Sequence, residues 1–480
     1  MRDSRFLMVM TVALALSSTD LTAQPARPFS LSEALAEADR AAFPNRRAVA
    51  TTEVERSRTA PSLKGILPSA RIEAGFVRTT DPIGAFGTLL RQRRVTSVAF
   101  DPTRLNDPLP ANNLLGGIVL ELPVFNADAL TGWQAARTAT RASEAAADRV
   151  QHDVRFSVVR AYYGAVLAQE KVTVLLDAER AAHSAVQQVE SMIRQGLVTR
   201  ADALQSRVRA ADVSMQLSMA RHDAVTAAHQ LALLLGRSFD ARHAQDAQII
   251  VLPHGLPSDS SILALLPGVE TRAASSTTMP TVNQRDDLRA AKLGFDAARL
   301  DVRSATATLL PRVNGFARYD WHSPTTLYAG RPNWTLGIMA SWSVFGGGNE
   351  LVALAGARAR ARLAAAAHEA ATAQAQLEVA QVERGLSVTR EHLDLAAQAA
   401  AQSREALRLI DKRYASGLAT VAELLGAENS AMAAALRHAA ARYDLIVALA
   451  AHRHANGADP ASLAQLDAAP MDTSSTIARE

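Results

Sequence analysis

The chain has 480 residues and no cysteine. That excludes a disulfide scaffold, a thiolate metal site and a lipidated N-terminal Cys. Beyond the N-terminal leader, no stretch approaches the ~20 consecutive apolar residues that a membrane-spanning helix requires. No block of like charge is present either. The 51 Lys and Arg and 47 Asp and Glu leave a net charge of +4, spread along the chain, so no nucleic-acid surface is expected. Gly and Pro are nearly missing from two long windows, 127–195 and 349–416. A catalytic constellation is also lacking. Gly346-Gly347-Gly348 is not followed by Lys-Ser/Thr, so it is no phosphate loop. His452 and His454 are two apart on a helical stretch and share no face, so an exposed helix end is expected there rather than a metal site. The chain is expected to be no enzyme and to need no cofactor.

The N-terminus reads as a signal peptide over residues 1–23. Arg2 and Arg5 form a basic n-region, Phe6 to Leu16 an apolar h-region, and Ala23 marks a small-residue cleavage site. An exported chain without membrane helices is periplasmic, secreted, or part of an outer-membrane barrel.

The mature sequence says the same thing twice. Residues 113–126, NLLGGIVLELPVFN, reappear as 334–346, WTLGIMASWSVFG. Leu67-Pro68 returns as Leu310-Pro311, and the stretch from Gly196 to Leu204 returns from Gly417 to Leu425. Three matches in one order imply a duplicated unit. The first repeat covers 24–236 and the second 282–457. An equatorial linker rich in Pro, Ser and Thr lies between them, 237–281, and a loosely ordered tail is expected over 458–480.

Each repeat is expected to begin with a helix, 30–62 in the first, capped by Ser30 or Ser32 and stopped at Leu67-Pro68. Two strands follow in each, about 66–80 and 113–126, then about 311–322 and 333–346. Their side chains alternate. Ile118, Leu120, Leu122 and Val124 share one face, and Trp334, Leu336, Ile338, Ala340, Trp342 and Val344 share another. Alternation over about ten residues with aromatics near the ends marks a transmembrane β-strand. Trp334 and Trp342 are expected to face lipid near opposite ends of the apolar band, ~19 Å apart along the membrane normal at ~45° tilt.

After each strand pair comes a coiled-coil hairpin, about 127–236 and 348–457. Its outgoing helix is ~100 Å long at 1.5 Å per residue. Val154, Val158, Ala161, Ala165, Ala168, Val172, Leu175, Glu179, Ala182, Val186, Val189 and Ile193 form a heptad seam in the first. Val379, Val382, Leu386, Thr389, Leu393, Ala396, Ala400, Ser403, Leu407, Ile410 and Tyr414 form one in the second. Each hairpin turns at a tip of the form Gly-Leu-x-Thr. Gly196 and Gly417 suit the left-handed residue that ends a helix. Thr199 and Thr420 then cap the returning helix, with Asp202 and Glu423 three residues later.

These motifs, in this order and spacing, resemble the TolC-like outer-membrane efflux protein family over about residues 30–457. Leu67-Pro68 and Leu310-Pro311, the strand ends Pro123-Val124-Phe125 and Ser343-Val344-Phe345-Gly346, and the two tips carry the likeness. The insert DPIGAFGTLLRQRR, from Asp81 to Arg94, resembles the family's first extracellular loop. The resemblance implies a mainly α fold with a membrane β-barrel portion. A homotrimer would place a β-barrel in the outer membrane and a long coiled-coil tunnel in the periplasm. It also implies passive export of solutes passed on by an inner-membrane pump through a periplasmic adaptor. The tips Gly196, Leu197, Thr199, Gly417, Leu418 and Thr420 would dock the adaptor. Asp202, Tyr414 and Glu423 would form the pore gate. Ala419 stands where the family's gate arginine is expected, and Gly426 where a second acidic ring is expected, so Arg413 or Arg200 takes over closure. Multidrug efflux, metal efflux and type I protein secretion all fit. From another class, a soluble periplasmic or secreted coiled-coil scaffold or adaptor also accounts for the helices, though not for the paired strands.

Overall fold

The computed structural model of the protein describes residues 28–196, 198–237, 250–253, 255–266 and 285–468. The expected signal peptide, Leu197 and most of the linker 237–281 lie outside these residues.

The first expected helix is broken into three pieces: α1 (Leu31–Ala41), α2 (Phe43–Ser57) and α3 (Thr59–Ser62). Pro44 in the first turn of α2 has no N–H to offer a preceding helix, and Ala42 turns extended, with ψ 130°. Ser30 and Glu33 form a reciprocal capping box at the start of α1.

Four strands follow the predicted order. β1 (Ser69–Thr79) and β2 (Ala111–Phe125) enclose the insert, which carries two short helices, α4 (Pro82–Arg91) and α5 (Pro102–Asn106). β3 (Arg312–Ser323) and β4 (Pro332–Ser341) belong to the second repeat. They pair antiparallel in the order β1-β2-β3-β4, so the sheet has two open edges. The last strand is shorter than the expected 333–346. The chain leaves the ladder after Ser341 and turns through Gly347 (φ 71°) and Gly348 (φ 83°) into the next helix. Trp342 and Val344 therefore lie beyond the ladder. The Trp342 indole donates to the Leu309 carbonyl at 3.0 Å.

Each strand pair feeds a helical hairpin. α6 (Ala127–Arg194) and α7 (Arg200–Leu234) form the first, α10 (Asn349–Ala415) and α11 (Val421–Ala455) the second. The outgoing helices have 68 and 67 residues, ~100 Å each. A returning helix of 35 residues covers only the half toward the tip. Toward the sheet, α2 and α9 (Asp286–Ala307) take over that role against α6, and α9 also packs on α10. No residue of the two predicted seams is exposed, whereas most intervening residues of α10 are.

The largest core lies where hairpin, α1 and linker meet. Leu31, Val158, Tyr162, Leu231, Leu445 and Ile446 are at most 1 % exposed there. Two segments read as irregular contribute to it. The short helix α8 (Asp259–Leu263) within the linker inserts Ile262. The stretch from Pro460 to Ala468 forms a 3₁₀ helix that buries Leu463 and Leu466. Spaced leucines in an alanine-rich tail pack well enough to fix it.

Candidate functional site

The sheet has two chemically different faces. On one, Ile72, Phe76, Ile118, Leu120, Leu122, Leu336 and Ile338 are exposed, with Trp334 at 76 %; Trp342, at 62 %, lies just past the ladder. Tyr319 lies directly across from Trp334 in the ladder. Trp321 stacks edge-on with Tyr319 and with Tyr328, at 4.9 and 5.8 Å. Tyr328 reaches this place by folding back over Gly116, where a Cβ would sit 2.4 Å from its ring. The four rings form an aromatic band at the end of the sheet away from the hairpins, as membrane strands carry at an interface.

The opposite face is polar. Arg71 pairs with Glu121 at 2.9 Å and with Glu73 at 3.3 Å, and Arg318 pairs with Glu73 at 2.6 Å. Register explains the network, since Val119 stands between Arg71 and Arg318 on neighbouring strands and all four charges fall on one side of the pleat. Nearer the insert, Gln92, Asn113, His322 and Asp320 form a buried hydrogen-bonded chain. An apolar outside and a polar inside suit a wall between lipid and water.

At the far ends of the hairpins the predicted tip chemistry is present. Gly196 and Gly417 both have φ 72°. The Thr199 N–H donates to Asp202 at 2.9 Å, and the Asp202 N–H donates back to the Thr199 hydroxyl at 3.3 Å. Thr420 and Glu423 repeat the box at 2.7 and 3.2 Å. The Thr199 hydroxyl and N–H hold the Asp202 carboxyl below the usual carboxylate range. The Thr420 N–H and hydroxyl do the same for Glu423, and Arg413 adds its charge. The expected gate residues Asp202, Tyr414 and Glu423 lie at different places on the tips. Tyr414 is 3 % exposed in a cluster joining the two tips, with Val189, Ala203, Val421, Leu424 and Leu425. Its hydroxyl lies 3.2 Å from the Met192 sulfur. Burial raises its phenol pKa, and the Asp202 charge raises it further, so these two are neighbours. Glu423 lies by Arg413 instead, and the Arg413 guanidinium donates to the Leu418 carbonyl at 3.1 Å. Leu418 is 69 % exposed. Leu197 lies outside the described residues.

Sequence reading missed the buried charges at the equator. Glu170 and Arg442, both about as buried as the leucines around them, form an ion pair, and Glu170 also accepts from the Leu256 N–H at 2.9 Å. His438 bonds Asp259 at the start of α8, 2.9 Å away, and so fastens the linker to α11. Arg285 joins Asp287 and Glu378. His454 is not at an exposed end: it is 8 % exposed, bonded to Asp153 at 2.7 Å and stacked on Phe156. No spacing rule links Glu170 to Arg442 or Asp153 to His454, which are 272 and 301 positions apart; the only signal was a charged residue inside an apolar helical run. Among the described residues no group of His, Asp or Glu could hold a metal ion.

The profile of the outer membrane efflux protein family matches residues 90–237 and 281–458. Several solved structures share the fold. The CmeC outer membrane channel of Campylobacter jejuni superposes with a TM-score of 0.74 at 15% identity, covering 98% of this chain and 99% of its own. The VceC outer membrane protein of Vibrio cholerae gives 0.71 at 20% identity, covering 89% and 96%. The MtrE outer membrane channel of Neisseria gonorrhoeae, in its open state, gives 0.69 at 20% identity, covering 90% and 89%. At these identities the likeness is one of fold. No curated protein matches the chain.

Proposed function

Because the chain belongs to the outer membrane efflux protein family, we propose that three copies of it close into a channel that crosses the outer membrane and continues into the periplasm. It acts as an efflux channel: solutes pass through passively, delivered by an inner-membrane pump through a periplasmic adaptor. The observation that carries this reading is the open four-stranded sheet with one apolar and one charged face. In lipid, each unpaired backbone group along β1 and β4 costs several kcal/mol, so the edges must be closed by other copies. Two copies would give eight strands, a barrel just filled by its own side chains. Three copies give twelve, with room for a lumen lined by Arg71, Glu73, Glu121 and Arg318. The exposed apolar face speaks against a soluble scaffold, which would leave that surface in water.

The hairpin tips are the natural docking surface for the adaptor, since they end furthest from the sheet. Gly196, Thr199, Gly417 and Thr420 shape the two turns, while Leu197 and Leu418 supply apolar contact. Asp202 and Glu423 line the entrance that the tips surround, and Tyr414, packed behind them, completes the gate. Mass measurement of the detergent-solubilised mature protein tests the assembly. A trimer in the outer-membrane fraction is expected, and a monodisperse monomer would end the proposal.

A further inference from the structure

The insert between β1 and β2 is seated on the polar face of the sheet, at the end away from the hairpins. Ala85 of α4 is 1 % exposed. Gln92, just past the helix, donates to the Asn112 carbonyl at 2.8 Å and to the Asn113 side chain at 3.1 Å. Asn113 bonds His322, which bonds Asp320, so the end of α4 is pinned to three strand residues of the inner face. On either side of buried Gln92 stand Arg91, Arg93 and Arg94, all exposed. Arg93 takes the left-handed position that closes the helix, φ 53°, a place that glycine usually fills. The turn is completed by Arg94 N–H to Leu89 and Arg93 N–H to Leu90, both 2.9 Å. The Arg93 guanidinium reaches the Pro332 carbonyl at 3.4 Å, and Asn333 reaches the Arg91 carbonyl at 3.5 Å. The three arginines thus lie across the rim to the start of β4, beside exposed Arg331.

Among the described residues, no carboxylate forms an ion pair with any of these four guanidinium groups. Asp81 caps the other end of α4, ten residues away, or ~15 Å, beyond the ~8 Å screening length of physiological salt. Asp101 is engaged by Thr103, with Arg104 in the same short helix, and Asp107 follows it. Deeper in the sheet, Arg71 and Arg318 are matched by Glu73 and Glu121. Asp320, which faces Asn333 in the ladder, is engaged by His322, so among the described residues the four rim arginines have no ion-pair partner.

Resting on the channel reading above, we propose that Arg91, Arg93, Arg94 and Arg331 form an anion-selecting ring at the external mouth, so that the channel favours anionic solutes over cations. Threefold repetition around the mouth sums the field of the guanidinium groups on whatever passes. The backbone strain at Arg93 fits this role, because glycine would make the same turn without the charge.

Planar bilayers containing the mature trimer test this in a KCl gradient, with chloride and potassium as the probes. The reversal potential of the wild type should show chloride permeating better than potassium. The Arg91→Gln/Arg93→Gly/Arg94→Gln variant should lose that preference severalfold while still conducting. Arg93→Gly alone relieves the strained turn, so it keeps the fold and should move the ratio part of the way. A wild-type preference for potassium, or the same ratio in wild type and both variants, overturns the anion ring while leaving the channel standing. No conductance from wild-type trimers would overturn the channel reading and the ring with it.

Discussion

Glu170 and Arg442 are each 4 % exposed, and neither has water to fall back on. An ion pair at such depth contributes little net stability, because desolvation offsets the attraction, yet removing one partner strands the other charge. Arg442→Met should therefore destabilise the fold by about 3–5 kcal/mol. The Glu170→Gln/Arg442→Met double variant keeps an acceptor for the Leu256 N–H and should recover much of that loss. Denaturant unfolding of the two variants decides the matter; equal losses would mean that the pair is not coupled. The residue scale also separates the caps from the gate. Asp202 and Glu423 are held below the usual carboxylate range by their threonines. A depressed pKa in the fold means that the cap's contribution is complete above the unfolded value, about 4, and is lost as pH falls through the folded one. Acidification below about pH 4 should then reduce hydrogen-exchange protection of the Thr199 and Thr420 amides. Protection that does not change would remove the acids from the caps.

At the scale of elements, β4 shows how one register divides two environments. Ile338 stands on the apolar face at 76 % exposure, and Met339 on the polar face at 59 %. Assembly separates them. Ile338→Arg should cost about 2–4 kcal/mol in the membrane, as arginine does near the bilayer midplane, and should deplete heat-resistant oligomers on a gel. Met339→Arg should be tolerated. Equal tolerance would mean that the faces are assigned the wrong way round. The hairpins obey a similar logic. Ala-rich seams let α6 and α7 approach closely, and Glu179, a charge on the seam, is satisfied by the Ser214 hydroxyl at 2.8 Å.

For the whole molecule, tip and mouth lie at opposite ends and can be perturbed separately. The Asp202→Ala/Tyr414→Phe variant removes a charge and a buried hydroxyl from the tip cluster that joins the two hairpins. The loss falls on all three copies of the tip at once, which is expected to bias the entrance toward opening. Conductance in planar bilayers should rise above wild type, and an unchanged conductance would leave Asp202 a helix cap only. Leu418→Asp alters an exposed turn without touching the seam. Export should fall while trimers persist, and normal export would take docking away from that tip.

The duplication, the strand faces, both heptad seams and the tip boxes were legible in the sequence, because each depends on a short-range period or on residues within one turn. Every seam residue from Val154 to Ile193 and from Val379 to Tyr414 is shielded as its spacing implied. Boundaries were less legible. Pro44 broke a helix that periodicity carried through, and β4 ended at Ser341 because its partner strand begins opposite it, at Arg312. Only the tertiary structure brought Glu170 to Arg442, His454 to Asp153, the 460–468 tail to the equatorial core, and Arg93 to Pro332. Those meetings join residues far apart in the chain, and their energies depend on burial and on a partner's position, quantities that no local pattern of residues contains.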